Sequence, residues 1–160
     1  MSAEATESRS EPGIRLVAGP ELTMLEVRKE DAVRELASDH QVEFKLNLGL
    51  NRLATNVLGV ELSMQITNLP GVTLAAAYRS VIEIDNPPVD PVALASALKQ
   101  VGGRVAPSLM YPFIREAVVS SLLRAQLPAF VPPIVNFANV FDLATLAVPE
   151  ARSARHGDQG

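Results

Sequence analysis

Apolar residues alternate strictly with polar or small ones between positions 41 and 50, where Val42, Phe44, Leu46, Leu48 and Leu50 take every second place. A period of two puts all five on one face of an extended strand. A second alternation runs through Val60, Leu62, Met64 and Ile66, and a third through Val72, Leu74, Ala76, Tyr78, Ser80, Ile82 and Ile84. Asn68-Leu69-Pro70-Gly71 between these two has turn chemistry, proline fixing one φ and glycine supplying a positive one, so the strands are expected to form a hairpin. A weaker strand is expected over 22–29, which makes four antiparallel strands with one apolar face.

After Asp85 the pattern changes, because Asn86-Pro87-Pro88-Val89-Asp90-Pro91 breaks the sheet. Residues 92–101 are expected to form a short helix stopped by Gly102-Gly103. Within 107–126, Met110, Phe113, Ile114, Ala117, Val118 and Leu122 recur at three- and four-residue steps, the mark of the main helix. Pro112 is tolerable only in or before the first turn, so the regular part is expected to start there. Pro128, Pro132 and Pro133 predict a stiff extended connection over 127–136, and Asn136 is placed to cap a last helix over 137–147. Strands first and helices second predict an α+β fold, a four-stranded antiparallel sheet packed on one face by a long helix and a shorter C-terminal helix. The 160 residues suit one domain, expected over 14–149, between polar and aperiodic tails at 1–13 and 150–160 that are expected to be disordered.

Charge and composition then remove whole classes of function. The 14 basic residues are interspersed among 18 acidic ones for a net charge of −4, which leaves no basic stripe for nucleic acid or an anionic membrane. With no cysteine, disulfides, thiolate metal sites and cysteine nucleophiles are excluded, and a cytoplasmic location fits. No apolar run approaches the roughly 18 residues of a spanning helix, and 1–12 lacks the apolar core of a signal peptide, so no membrane insertion is expected. Catalysis needs a nucleophile, base or ligand set within mutual reach. The only histidines are His40, in a polar connection, and His156, in the tail. Asp85 and Asp90 flank prolines, as turns ordinarily require. Gly102-Gly103-Arg104 lacks the Lys-Ser/Thr of a P-loop and the third glycine of a dinucleotide fingerprint. Glu43 and Lys45 fall on the polar face of their strand. No enzyme, metal or cofactor is expected.

The anomaly lies between 106 and 149, where only Arg115, Glu116, Arg124 and Asp142 are charged. Five of the seven aromatic residues, Tyr111, Phe113, Phe130, Phe137 and Phe141, also fall there. A helical layer that merely covers a sheet should present a polar outer stripe. Two compatible readings follow: a face buried in a homo-oligomer, which resembles a core cut in half, or a groove for apolar segments of other proteins.

Tyr111-Pro112-Phe113-Ile114-Arg115-Glu116 resembles the aromatic-Pro-aromatic-x-Arg-Glu signature that opens the long helix of the SecB family. Pro133-Ile134-Val135-Asn136-Phe137, followed by Phe141, resembles the family's Pro-Val-Asn-Phe segment. Val42-Glu43-Phe44-Lys45-Leu46-Asn47-Leu48 and residues 60–67 resemble its second and third strands, so the likeness spans roughly 24–142. The resemblance implies a homotetramer, a dimer of dimers with the long helices between sheets. It also implies ATP-independent holding of unfolded polypeptide clients, preproteins kept competent for translocation in the export branch, with delivery to the translocase ATPase SecA.

Three features depart from that branch. The Phe-Glu-Ala-Pro stretch after the first strand is absent, with Val33-Arg34-Glu35-Leu36 in its place. The fourth strand lacks Gln-Gly-Gly and carries Ala75-Ala76-Ala77 where export members have an acidic docking residue. The tail has Arg152 and Arg155 in place of an acidic end. Some SecB-like proteins instead serve one antitoxin of a toxin–antitoxin system, and that service stays open here, as does a non-catalytic scaffold that binds one folded partner.

The client groove is expected to comprise Met110, Tyr111 and Phe113 on the long helix, Leu127, Phe130, Val131 and Ile134 on the connection, and Phe137 and Phe141 beyond it. Val119 and Leu123 are expected to face a neighbouring subunit. Light scattering at micromolar protein should therefore give a tetramer, or at least a dimer, and Val119→Asp should lower that mass. A clean monomer for the unaltered chain removes the interface.

Overall fold

The computed structural model describes residues 13–30, 37 and 39–150. Of the expected tails at 1–13 and 150–160, residues 1–12 and 151–160, with Arg152, Arg155 and His156, lie outside the described residues, as does the segment Val33-Arg34-Glu35-Leu36. Four strands form one antiparallel sheet: β1 (Ile14–Lys29), β2 (Phe44–Ala54), β3 (Val57–Leu69) and β4 (Val72–Ile84), in the order β1-β4-β3-β2. The register joins residues of one alternation class. Val60 sits opposite Ser80, Leu62 opposite Tyr78, Met64 opposite Ala76 and Ile66 opposite Leu74, while Leu46 and Leu48 oppose Met64 and Leu62. One face of the sheet is therefore apolar, as the period of two requires. The expected hairpin turn closes at Gly71, whose φ of 70° is the positive value that glycine supplies.

The first strand is longer than the 22–29 read from sequence. Its pairing with β4 shifts register between Leu16 and Ala18, between Ala18 and Glu21, and between Leu22 and Met24. Each shift resets the alternation, so no period of two survives along 14–24 to be seen in the sequence.

Helical structure runs from α1 (Pro91–Gln100) through a π turn (Val101–Val105) into α2 (Ala106–Arg124). Asp90 starts it by accepting a 2.8 Å hydrogen bond from the Ala93 amide. Two expectations fail along this rod. Gly102-Gly103 does not stop a helix; the two glycines lie in the π turn, both flanking residues keep right-handed helical dihedrals, and the Ala106 amide reaches back to the Val101 carbonyl. Their reason is close approach. A Cβ on Gly102 would stand 2.6 and 2.9 Å from the Leu50 methyls and 2.9 Å from Leu58, and one on Gly103 would collide with Leu143. Pro112 does not begin the regular helix but lies inside it. Its ring is on the exposed side, where the Ser108 carbonyl left without a partner amide can face water.

The expected helix over 137–147 is absent, and 127–149 carries no regular element. Asn136 Oδ1 does accept from a following amide, Ala138 at 3.0 Å, but two residues on, which makes a turn. Asp142 then repeats the competition, taking the Ala144 amide on Oδ1 and the Thr145 amide and hydroxyl on its own carbonyl. An eleven-residue stretch interrupted by Asn139, Val140, Asp142 and Thr145 is too short and too poor in helix formers to hold against these local bonds.

The rod lays Met110, Ile114, Val118 and Leu122, all at most 1% exposed, among the core residues that include Leu58, Val60, Leu62, Met64, Ile66, Ile82 and Ile84 of β3 and β4. An α-helix is about 10 Å wide and strands are spaced about 4.8 Å apart, so one helix covers about two strands. The central strands are buried accordingly, and the edges are not. β2 keeps Phe44, Leu46 and Leu48 half-buried, and β1 leaves Ile14, Leu16, Leu22 and Leu25 each more than two-fifths exposed on the face that the helix lies against.

Gly102→Ala should destabilise the protein by about 1–3 kcal/mol in urea unfolding, since Leu58 is fully buried and has no room to move, a term larger than the helix propensity gained. Gly103→Ala should be nearly neutral, because the half-buried Leu143 side chain can swing aside.

Candidate functional site

Tyr111 and Arg115, four residues apart, share one face of α2 and hold the proline-rich connection against it. The Tyr111 hydroxyl donates to the Pro133 carbonyl and the Arg115 Nε to the Pro132 carbonyl, each at 2.7 Å. An extended proline segment makes no internal hydrogen bonds, so its carbonyls are available for this clasp. Tyr111 also meets the Phe137 ring edge-on at 5.5 Å, and Phe137 stacks with Phe141 at 6.1 Å. Burial pushes the Tyr111 phenol above its ordinary pKa, an effect that the nearby Arg115 charge opposes.

The structure divides the residues expected in the groove. Met110, Tyr111, Leu127 and Phe137 are buried core members. Phe130 and Phe141 are half-buried against that core, and Val131 and Ile134 stand exposed on the outer side of the connection, Ile134 at 87%. Phe113 is apart from this group: it packs on Tyr78 of β4 at 6.0 Å and is 42% exposed, on the same open side of the helix as Leu109. Val119 is half-buried and Leu123 is 62% exposed.

Residues that the sequence did not single out complete the apolar surface. The inner side of β2 contributes Phe44, Leu46 and Leu48, Val135 adds to it from the connection, and Leu146 and Val148 from the segment beyond, all half-buried against the same core. This segment crosses Gly103 through Leu143 and ends on β2, where the Arg52 amide donates to the Pro149 carbonyl at 2.7 Å. The alternation of β2 is as regular as that of β4, so nothing in it announces an edge strand. The length of β2, and thus its meeting with Pro149, was hidden by the loss of alternation after Leu50.

The groups considered for catalysis have structural partners. His40 Nε2 lies 2.7 Å from the Asn68 carbonyl, tying the connection before β2 to the β3–β4 turn. Asp90 caps α1, and the Asp85 amide donates to the Gly13 carbonyl at 2.8 Å. The outer sheet face has shallow depressions, one lined by Gly49, Asn51, Gly59, Glu61, Arg79 and Val81, in which Glu61 and Arg79 pair with each other. Among the described residues no three His, Asp or Glu side chains gather as a metal site, and no helix is long and apolar enough to cross a membrane.

No family model matches the chain. It is 27% identical over 126 residues to the protein-export protein SecB of Bordetella pertussis, covering 75% of this chain and 69% of that protein, with the same figures for SecB of Bordetella petrii. The fold matches the SecB-like chaperone of Mycobacterium tuberculosis, solved in complex with a ChAD peptide from the HigA1 antitoxin, with a TM-score of 0.57 at 14% identity over 77% of this chain and 88% of that one.

The clasp generates a pH test. A phenol whose pKa is raised in the folded state stabilises the fold fully below the unfolded value of about 10, and that stability is lost as pH rises through the folded value. The urea midpoint should therefore fall above about pH 10, and Tyr111→Phe should flatten that fall while lowering stability at neutral pH by about 1 kcal/mol. An unchanged alkaline slope in Tyr111→Phe removes Tyr111 as its source.

Proposed function

We propose that this SecB-like protein, of a non-enzymatic chaperone family, holds unfolded polypeptides without ATP and keeps preproteins competent for export. The observation that carries the proposal is the pair of apolar side chains that no described element covers, Val131 and Ile134 on the connection, together with Phe130 and Phe141 half-buried against the core. An unfolded chain offers apolar side chains in no fixed arrangement, so such a surface reads hydrophobicity and extension rather than sequence. Folded proteins bury those side chains and are passed over. Each contact contributes about 1–3 kcal/mol, and useful holding comes from several such surfaces of one oligomer on the same client, which raises avidity roughly 100-fold. The homotetramer, formed by one domain over 14–149, supplies those surfaces; exposed Leu123 and half-buried Val119 on α2 support a subunit contact there.

Dedication to a single antitoxin is the second reading. It is favoured by the outer face of β4, where Ala75 and Ala77 lie opposite Glu26 and Met24 of β1 and offer less acidic surface than the docking face of export members. A scaffold for one folded partner would show saturable binding of that partner and no effect on unrelated unfolded chains.

Purified protein without ATP should suppress aggregation of several unrelated, chemically unfolded proteins. Val131→Asp combined with Ile134→Asp should abolish most of that suppression with oligomer mass and melting temperature unchanged, since both side chains are exposed. Phe130→Ser should act in the same direction. Unchanged suppression in the double variant displaces the client site from the connection.

A further inference from the structure

Two edge strands bound this sheet, and they are built differently. β1 is broken by three register shifts against β4 and carries Glu26, Arg28 and Lys29 in its longest regular stretch, features that keep an edge from pairing with other chains. β2 keeps one register against β3 from Phe44 to Arg52, and Lys45 is the sole charge between Phe44 and Asn51. The first edge is guarded against a further strand and the second is not.

Two hydrogen bonds fix which backbone groups β2 turns outward. The Glu43 amide donates to Asn68 Oδ1, on the β3 side, and the Arg52 amide donates to the Pro149 carbonyl, on the open side. Peptide groups alternate sides residue by residue along a strand, so Phe44, Leu46, Leu48 and Leu50 turn amide and carbonyl to the open edge, as Arg52 does. Among the described residues none of these four has a main-chain partner there. The pairing that Pro149 and Glu150 make with Arg52, a parallel bridge, stops short of them. The same four side chains point to the inner face, where Phe44, Leu46 and Leu48 are half-buried against the core. Apolar side chains and open peptide groups therefore stand in register along one margin.

We propose that the β2 edge over 44–50 is a strand-addition site, at which an extended segment of an unfolded polypeptide pairs main chain to main chain. The proposal rests on the holdase reading above and gives the binding mode within it. Main-chain hydrogen bonds are common to every sequence, so they supply affinity without choosing among clients. Alternate side chains of the added strand continue the apolar row of Phe44, Leu46 and Leu48. The protein's own chain shows the kind of occupant that fits: Pro149 belongs to a segment without regular structure and meets this edge through its backbone. A folded protein has its peptide groups already paired and offers no such segment.

The test uses a fluorescent seven-residue peptide alternating leucine and threonine, with two further versions, one N-methylated at the leucines and the other at the threonines. Each methylation pattern removes the donors and blocks approach on one side of an added strand only. Titrated into the full-length protein, one methylated version should bind about tenfold more weakly than the parent peptide, and the other should match it. Loss in the leucine version marks antiparallel addition, and loss in the threonine version parallel addition. Leu48→Pro removes one outward amide without touching the β3 ladder and should weaken the parent peptide by about tenfold. Leu48→Ala, which keeps that amide, should weaken it less. Urea unfolding checks both variants, and if Leu48→Pro does not fold, the methylated peptides on the unaltered protein decide alone. Equal binding of the three peptides, or equal weakening of both methylated versions, overturns the proposal and leaves the holdase reading standing. A second copy holding the edge shows as a lower oligomer mass in Leu48→Pro with no difference among the peptides, which overturns it too. Binding of none of the three peptides overturns the holdase reading itself.

Discussion

A single helix laid across four strands is the constraint from which the remaining architecture follows. The rod seals β3 and β4, whose inner residues are almost wholly inaccessible, and has no width left for the strands on either side. The two uncovered margins are then treated differently. Over β2 the chain returns after α2 as an irregular, apolar segment that ends on the strand itself at Arg52. Over β1 no described element returns, and Ile14, Leu16, Leu22 and Leu25 continue the apolar face beyond the helix.

The irregular segment keeps its position by borrowing partners from regular elements. Tyr111 and Arg115 bind proline carbonyls, Phe137 enters the core, and Leu143 settles over the glycines of the π turn. Prolines limit the conformations open to the connection before anything binds it, and the clasp fixes which of those is used. Outward-facing Val131 and Ile134 are thus presented on a stiff support, although no helix or strand contains them.

The strands with uninterrupted alternation, the β3–β4 turn and the existence of the main helix were all legible from residue pattern. What was not legible depended on neighbours distant in sequence. Gly102-Gly103 has the composition of a helix stop, and only the approach of Leu50 and Leu58 explains why glycine stands there in a helix that continues. Pro112 has the composition of a helix start, and its acceptability inside the rod depends on facing solvent. Asn136 and Phe137 look like the cap and first turn of a helix, yet Asp142 and Thr145 take the backbone bonds that such a helix would need. Of the candidate site, the aromatic and aliphatic residues of 110–141 were visible as an unusually uncharged run. Their separation into buried Tyr111 and Phe137, exposed Ile134 and a distant Phe113 is set by helical phase and by the path of the connection.

The register breaks of β1 have a further bearing on how this protein survives its own surface. A long edge strand with exposed Ile14, Leu16, Val17, Leu22, Met24 and Leu25 is the kind of template on which cross-β fibrils grow. Fibril growth needs a flat run of six or seven residues in uninterrupted register, with few charges. The three shifts leave 24–29 as the longest unbroken stretch, and Glu26, Arg28 and Lys29 fall within it. The upstream apolar residues are split by the bulge at Gly19, where the backbone takes a φ of 83° that a flat strand does not accommodate. The margin can thus stay greasy enough to meet another folded surface while being too bent and too charged to nucleate amyloid.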